Sequence, residues 1–345
     1  MNFVDLIFIN FIVVIVILGV LINFIEPYLP TFITQTFRYG KHSYKGVPNK
    51  FAQLTEIPKS YFKHFYVFAL IWSILITYLV TWTYVGGYAI PEFIVTGLDV
   101  ICGRNRQVKS RFNAHISGHV INSIYRSMFL PLANAVSTFI AVVLLMLQCV
   151  RRFYETHFVQ VFSSTSKINL SHYVVGYFHY FGALLAIISQ AQGFVRGSQA
   201  ELIQWDDITL RHYIAVGLFL YAWYNQFISN LILASLRKNN AGTVGRSKMA
   251  EIHSYKTSFT GTVITQKHLL PTGGYFESVS SPHMYFEVVI YVALYIILHN
   301  NSSWLFVLCW VISNQIENAW LTHKWYVETF PDYPKNRKAI FPNFL

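Results

Sequence analysis

The sequence predicts an all-α fold: a polytopic membrane protein of seven transmembrane helices with its C-terminus in the cytosol. Three observations lead there. Charged side chains make up only 12% of the 345 residues and apolar ones 54%, against roughly 25% charged in an ordinary soluble domain, so polar surface is too scarce to cover a globule in water. Seven apolar runs follow one another along the chain. Lysine and arginine are shared unequally between the segments that join those runs.

The first run, 6–25, follows a start without positive charge and precedes no small-residue cleavage pattern, so it reads as a retained span and not a signal peptide. The others are 65–85, 128–150, 173–188, 213–233, 285–298 and 304–319. The fourth, sixth and seventh are shorter than the roughly 20 residues that a crossing requires. Their helices must therefore extend into polar flanks, which draws His172, Glu287, Asn314, Gln315 and Asn318 to membrane depth. The polar stretch 103–126 reads as a loop with a short amphipathic helix at the interface and carries no recognisable chemistry.

With seven crossings, the segments 26–64, 151–172, 234–284 and the tail from 320 share one side and hold 19 of the 26 basic residues, leaving 7 for the other. The basic side is cytosolic by the positive-inside rule, and six or eight spans would spoil the bias. The net charge of +11 is thus topological: the basic residues sit in short loops, not on a face interleaved with stacking aromatics, so no nucleic-acid partner is expected. Cys102, Cys149 and Cys309 are too scattered for a disulfide framework and lack zinc-ligand spacing; no metal is expected. There is no internal repeat. The chain divides into 1–60, the first span with its cytosolic loop, and a membrane domain over 61–345.

No Gly-rich dinucleotide turn, phosphate loop or His-Glu-x-x-His is present. Four cytosolic-side clusters remain. In Arg151-Arg152-Phe-Tyr-Glu155, helical spacing puts Arg152 and Glu155 on one face, either as a glutamate holding an arginine toward a phosphate or as a basic pair at the membrane edge. Gln226, Asn230 and Arg237 recur at four and seven residues; unpaired amides are costly in a span, so they face a polar ligand or another helix. The stretch 273–287 joins paired glycines to Ser280, Ser281, His283 and Glu287; a serine-capped helix start would account for its beginning but not for Glu287. His323-Lys-Trp-Tyr326 is either part of a site or an interfacial aromatic belt.

On these residues the chain resembles the steroid 5α-reductase family, in its polyprenol (polyprenal) reductase branch. The likeness rests on Leu236-Arg-Lys-Asn239, Val279-Ser-Ser-Pro-His283 within 273–287, and His323-Lys-Trp-Tyr326 with Tyr333-Pro-Lys-Asn-Arg-Lys-Ala339. Glu56-Ile-Pro-Lys59, His64-Phe-Tyr66 and Arg151-Arg152-Phe-Tyr-Glu155 resemble the branch itself. The resemblance implies a seven-span enzyme of the endoplasmic reticulum membrane that uses NADPH to saturate a carbon–carbon double bond on the route to dolichol for protein N-glycosylation. It also implies that 230–345 is the cofactor-binding part, with contacts at Arg152, Gln226, Asn230, Arg237, His283, Glu287, His323 and Tyr326. Asn318 stands where steroid-reducing members carry an arginine, and the glutamate and tyrosine that hold a steroid ketone have no clear counterpart.

Hydride is a nucleophile, so the double bond it attacks must be electron-poor. That makes polyprenal a more reasonable direct substrate than polyprenol. Tyr66, His64, His323 and Tyr326 are the catalytic candidates, as donors to the developing oxyanion or as proton sources. A polyisoprenoid leaves the bilayer only at about 0.8 kcal/mol per methylene, so the site should open sideways to lipid while the cofactor comes from the cytosol. A steroid enone or trans-2-enoyl thioester reductase is the alternative enzyme, and a lipid-binding or transport protein the alternative class.

Overall fold

The computed structural model describes residues 2–42, 44, 46–103, 133–163, 165–238, 265 and 268–345. Its long helices mostly begin where the sequence supplies an acceptor for the first amides, which have no partner within a helix. Asn2 caps α1 (Phe3–Phe24), accepting from the Asp5 amide at 2.6 Å. Two short helices, α2 (Thr31–Phe37) and α3 (Lys50–Leu54), and a strand, β1 (Glu56–Pro58), lead to α4 (Phe62–Tyr84) and α5 (Glu92–Cys102). Asn134 caps α6 (Ala135–Tyr154), which runs on as a π-helical turn, Glu155–Val159. After β2 (Lys167–Asn169), Asn169 caps α7 (Leu170–Ile188). Thr209 and His212 form a reciprocal box at the start of α8 (Leu210–Ser235), and Asn301 caps α10 (Ser302–Thr329). In α9 (Pro282–Ile297), Ser281 occupies the cap position without a side-chain bond, so the serine cap expected there does not form.

Each apolar run of the sequence coincides with a helix to within a residue at its end, except that the third enters its helix only at Ala135; residues 128–132, with most of 103–126, lie outside the described residues. The polar flanks are helical as anticipated: α7 contains His172, α9 contains Glu287, and α10 contains Asn314, Gln315 and Asn318. Among the described residues four helices can cross a membrane by length and composition, Phe3–Phe24, Lys59–Tyr84, Ala135–Val159 and Leu170–Ile188. The helices α8 and α10 are longer, at 26 and 28 residues, but interrupt their apolar surface with amides and charges, and α9 is apolar over only 16.

Helix α8 lies along α9, α9 along α10, and α10 along α1; α4 packs between α6 and α7. At Gly176 a Cβ would meet the Phe65 ring at 2.8 Å, so glycine is what lets α7 approach α4 this closely. Phe8, Leu145, Phe219, Tyr291 and Trp304 are fully buried in the main core, whereas Val13, Val16, Ile17 and Val20 leave an apolar stripe of α1 exposed. Such a stripe suits lipid and not water. The antiparallel ribbon pairs Glu56 with Asn169 and Pro58 with Lys167, tying the approach to α4 to the approach to α7. The C-terminal segment folds back on the start of α9: Ser280 N donates to Lys338 O at 2.8 Å, and Lys338 N to Ser278 O at 3.0 Å.

Candidate active site

A cavity of about 850 Å³ lies where α1, α4, α6, α7, α8, α9 and α10 converge, within the range usual for small-molecule sites. Its lining is of two kinds: Phe11, Ile15 and Leu18 of α1, Ile33 of α2 and Trp310 of α10 are apolar, whereas Arg152 of α6, Gln226 and Asn230 of α8, Glu287 of α9 and Arg237 just after α8 are polar. Val14 of α1 and Phe32 of α2 belong to the apolar set yet remain 53% and 43% exposed.

Behind the polar lining stands Glu155, which is 0% exposed and sits at the first position of the π-turn. Burial of a carboxylate is tolerable only with close countercharge and hydrogen bonds. Arg151 supplies one cation, its Nε 3.5 Å from Glu155 Oε1; Arg152 pairs with Oε2. Asn230 Nδ2 donates to Oε2 at 3.0 Å, tying α8 to the turn. The arginine anticipated beside Glu155 is therefore one of two, and both are held.

A second set of bonds extends inward. Gln148 Nε2 donates to Gln226 Oε1 and to Glu287 Oε2, each at 3.1 Å. Gln226 in turn donates to Glu287 and, at 2.8 Å, to the His283 carbonyl, so α6, α8 and α9 share one network. Gln226 thus meets both helices and cavity, combining the two alternatives left open by its spacing. Arg237 lies two residues beyond the end of α8 and does not continue its face, a correction to the helical spacing. It donates to Val161 O at 2.6 Å and approaches His268 Nδ1 at 2.7 Å. Burial lowers the pKa of its guanidinium, which as an arginine nonetheless stays cationic.

Eight of the ten expected residues line the cavity: Tyr66, Arg152, Gln226, Asn230, Arg237, His283, Glu287 and Tyr326. The other two do not. His64 is exposed, 3.2 Å from the Tyr173 hydroxyl and beside the Tyr61 ring. His323 is taken up behind the wall: the Ser280 hydroxyl, which meets His323 Nδ1 at 2.8 Å, also meets the Tyr333 hydroxyl at 2.5 Å and donates to Lys338 O at 3.0 Å. Tyr333 then stacks on Tyr326 with a 6.0 Å ring separation and a 9° interplanar angle. His323 thereby holds the C-terminal segment against the 3%-exposed Tyr326.

The sequence also leaves four lining residues unassigned. Lys59 lies 5.4 Å over the Tyr39 ring and adds a third cation to the wall. Tyr39, whose hydroxyl burial pushes up to about 12, keeps its proton and donates to Asn318 Oδ1 at 3.1 Å. His268 and His179 complete the set. Lys59 had a signal in Glu56-Ile-Pro-Lys59; the other three have none in spacing or composition.

Comparison with known proteins bears on this geometry. A family model described as 3-oxo-5-alpha-steroid 4-dehydrogenase matches residues 262–345, the part that contains His283, Glu287, His323 and Tyr326. The polyprenal reductase of Drosophila melanogaster is 43% identical over 344 residues, covering 100% of this chain and 94% of that protein. The chain belongs to the steroid 5α-reductase family, in its polyprenal reductase branch. Polyprenal reductases of Caenorhabditis elegans and Homo sapiens are 28% and 29% identical, over 92% and 88% of this chain and 89% and 83% of theirs. As a member of this branch the protein is an oxidoreductase acting on a carbon–carbon double bond.

Proposed function

We propose that the cavity is the site at which NADPH reduces the α-isoprene double bond of polyprenal, on the route to dolichol for protein glycosylation. One observation carries the reading: a single cavity is lined both by three cations and by an apolar set whose members Val14 and Phe32 also face outward. A dinucleotide requires the first and a polyisoprenoid tail the second.

The residues fit the cofactor. Arg152, Arg237 and Lys59 are the groups that would hold its phosphates, and the amides of Gln226 and Asn230, with Glu287 and Tyr326, would orient its polar rings. When bound, the nicotinamide supplies hydride; the protein supplies position and field. The hydride pair adds to the β-carbon of the enal, the π electrons move through the α-carbon to the carbonyl oxygen, and a proton at the α-carbon completes the saturated aldehyde. Groups of the chain must donate toward that oxygen and keep water out. Tyr66, buried and facing the cavity, and Tyr326, fixed by Tyr333, are hydroxyl donors at its wall.

In this reading all seven apolar helices cross the endoplasmic reticulum membrane, with the N-terminus lumenal and the cavity's polar lining and C-terminus cytosolic. The 19-to-7 division of basic residues supports that orientation. The tail reaches the site laterally between α1 and α2, without leaving lipid.

The test is turnover by purified protein in lipid nanodiscs with NADPH and polyprenal, followed by cofactor absorbance and by mass of the product. The reading expects one NADPH oxidised per saturated aldehyde formed and little reaction with a steroid enone. Preference for the steroid, or no cofactor oxidation, would overturn it.

A further inference from the structure

The reduction needs a donor at the carbonyl oxygen, and a partly buried histidine outside the proposed cofactor contacts stands on the same cavity. His179 of α7 lines it one turn beyond Gly176, together with Tyr180, Trp310 and Val311. Its Nε2 lies 2.7 Å from the hydroxyl of Tyr291 on α9. Its Nδ1 is buried and has no hydrogen-bond partner among the described residues.

The pair is rigidly held. The His179 ring meets Phe8 and Tyr180 edge-on, at 6.3 Å and 4.9 Å. Tyr291 is fully buried, stacks on Trp304 with an interplanar angle of 6°, and its carbonyl accepts from Trp304 Nε1 at 3.3 Å. A buried phenol donates its proton to the acceptor it touches, here Nε2, and an imidazole that accepts at one nitrogen carries its hydrogen on the other. In that tautomer His179 is neutral, with an Nδ1–H that none of the described residues receives. Leaving a buried donor unpaired is unfavourable, and a ligand oxygen removes the penalty.

We propose that His179 is a catalytic residue that donates its Nδ1–H to the substrate's aldehyde oxygen, and that Tyr291 is the positioning residue that sets the tautomer. The inference rests on the polyprenal reading and deepens it. Charge accumulates on that oxygen as hydride reaches the β-carbon, so the bond strengthens toward the transition state, where it accelerates the reaction. His179 stays neutral throughout; the proton for the α-carbon is given by a wall hydroxyl such as Tyr66 or Tyr326, which regains one from solvent.

The test uses full-length protein in nanodiscs with NADP⁺ and a short isoprenoid enal carrying ¹³C at the aldehyde carbon. In wild type the infrared carbonyl band of the bound enal should move to lower frequency, as hydrogen bonding demands. His179→Leu should return it toward the unbonded position and lower kcat about 100-fold or more, the usual effect of losing one oxyanion donor, with NADPH affinity unchanged. His179→Asn, whose amide can occupy the place of Nδ1, should restore part of both. Tyr291→Phe keeps the imidazole but frees its tautomer; it should weaken the band shift and reduce kcat, and it carries the test should His179→Leu fail to fold. A band still shifted in His179→Leu, with kcat within about twofold of wild type, would overturn the assignment and leave the polyprenal reading intact. Wild type that reduces no enal would instead remove that reading, and the role of His179 with it.

Discussion

Arg152 Nη2 donates to the Tyr66 hydroxyl at 2.8 Å, and its guanidinium lies 5.0 Å from the centre of the Tyr66 ring. A side chain of α4 thus fixes a cation that α6 carries to the cavity. Tyr66→Phe keeps the ring and removes the hydroxyl bond. Arg152 retains Glu155, so the expected loss is roughly 1 kcal/mol, or about fivefold in NADPH affinity. Fluorescence titration with NADPH checks it; unchanged affinity with impaired turnover would move Tyr66 from holding Arg152 to acting on substrate.

Glu155 compensates two arginines at once, so removing it should act on the fold before it acts on the reaction. Glu155→Ala leaves Arg151 and Arg152 close together without their shared anion. Breaking such a pair costs about 3–5 kcal/mol, which lowers Tm by roughly 5–10 °C. Glu155→Gln, which still accepts from Asn230, should fall between. Detergent-solubilised protein with a Tm equal to wild type in both variants would contradict this.

Arg237 reaches the cavity from the turn after α8, held by the Val161 carbonyl and facing His268. If it binds phosphate, Arg237→Ala should weaken NADPH roughly 10-fold or more and Arg237→Lys less, because lysine keeps the charge and loses the planar fork. The salt dependence of cofactor binding should flatten in Arg237→Ala. Equal affinities across the three proteins would take Arg237 out of the cofactor site.

Val14 and Phe32 line the cavity and are also exposed at the surface. Filling the cavity there should discriminate by substrate length. Val14→Trp should raise KM for a long polyprenal severalfold and leave a short isoprenoid enal nearly unaffected, since only the long tail must remain in lipid. Steady-state kinetics with the two substrates decide it, and parallel changes for both would place the opening elsewhere.

Much of the scaffold is legible in the sequence because lipid-facing helices are written in composition: α1, α4, α6 and α7 follow from unbroken apolar runs. The polar-flank argument works for α9 and α10 because a short run must borrow length, which α9 takes from residues 282–284 and α10 from residues 302–303 and 320–329. Arg152, Gln226, Asn230 and Glu287 are legible for a related reason, being polar groups where polarity is expensive. Tertiary pairing is not. Nothing local marks His179 above twelve other histidines, since its partner Tyr291 is 112 residues away. Arg151 shares the carboxylate with Arg152 at spacings of four and three residues, both of which helical periodicity allows, so spacing alone does not say which arginine the glutamate holds. His323 misleads in the other direction, its aromatic surroundings serving to pin the C-terminal segment through Ser280 and Tyr333.

The most direct test of the central claim is a cryo-electron microscopy map of the protein in nanodiscs with NADP⁺ and a polyprenol. The account predicts nucleotide density against Arg152 and Arg237, with lipid-tail density running past Trp310 and out between Val14 and Phe32. Nucleotide density at the opposite end of the bundle, near Arg196 and Arg211, would contradict it.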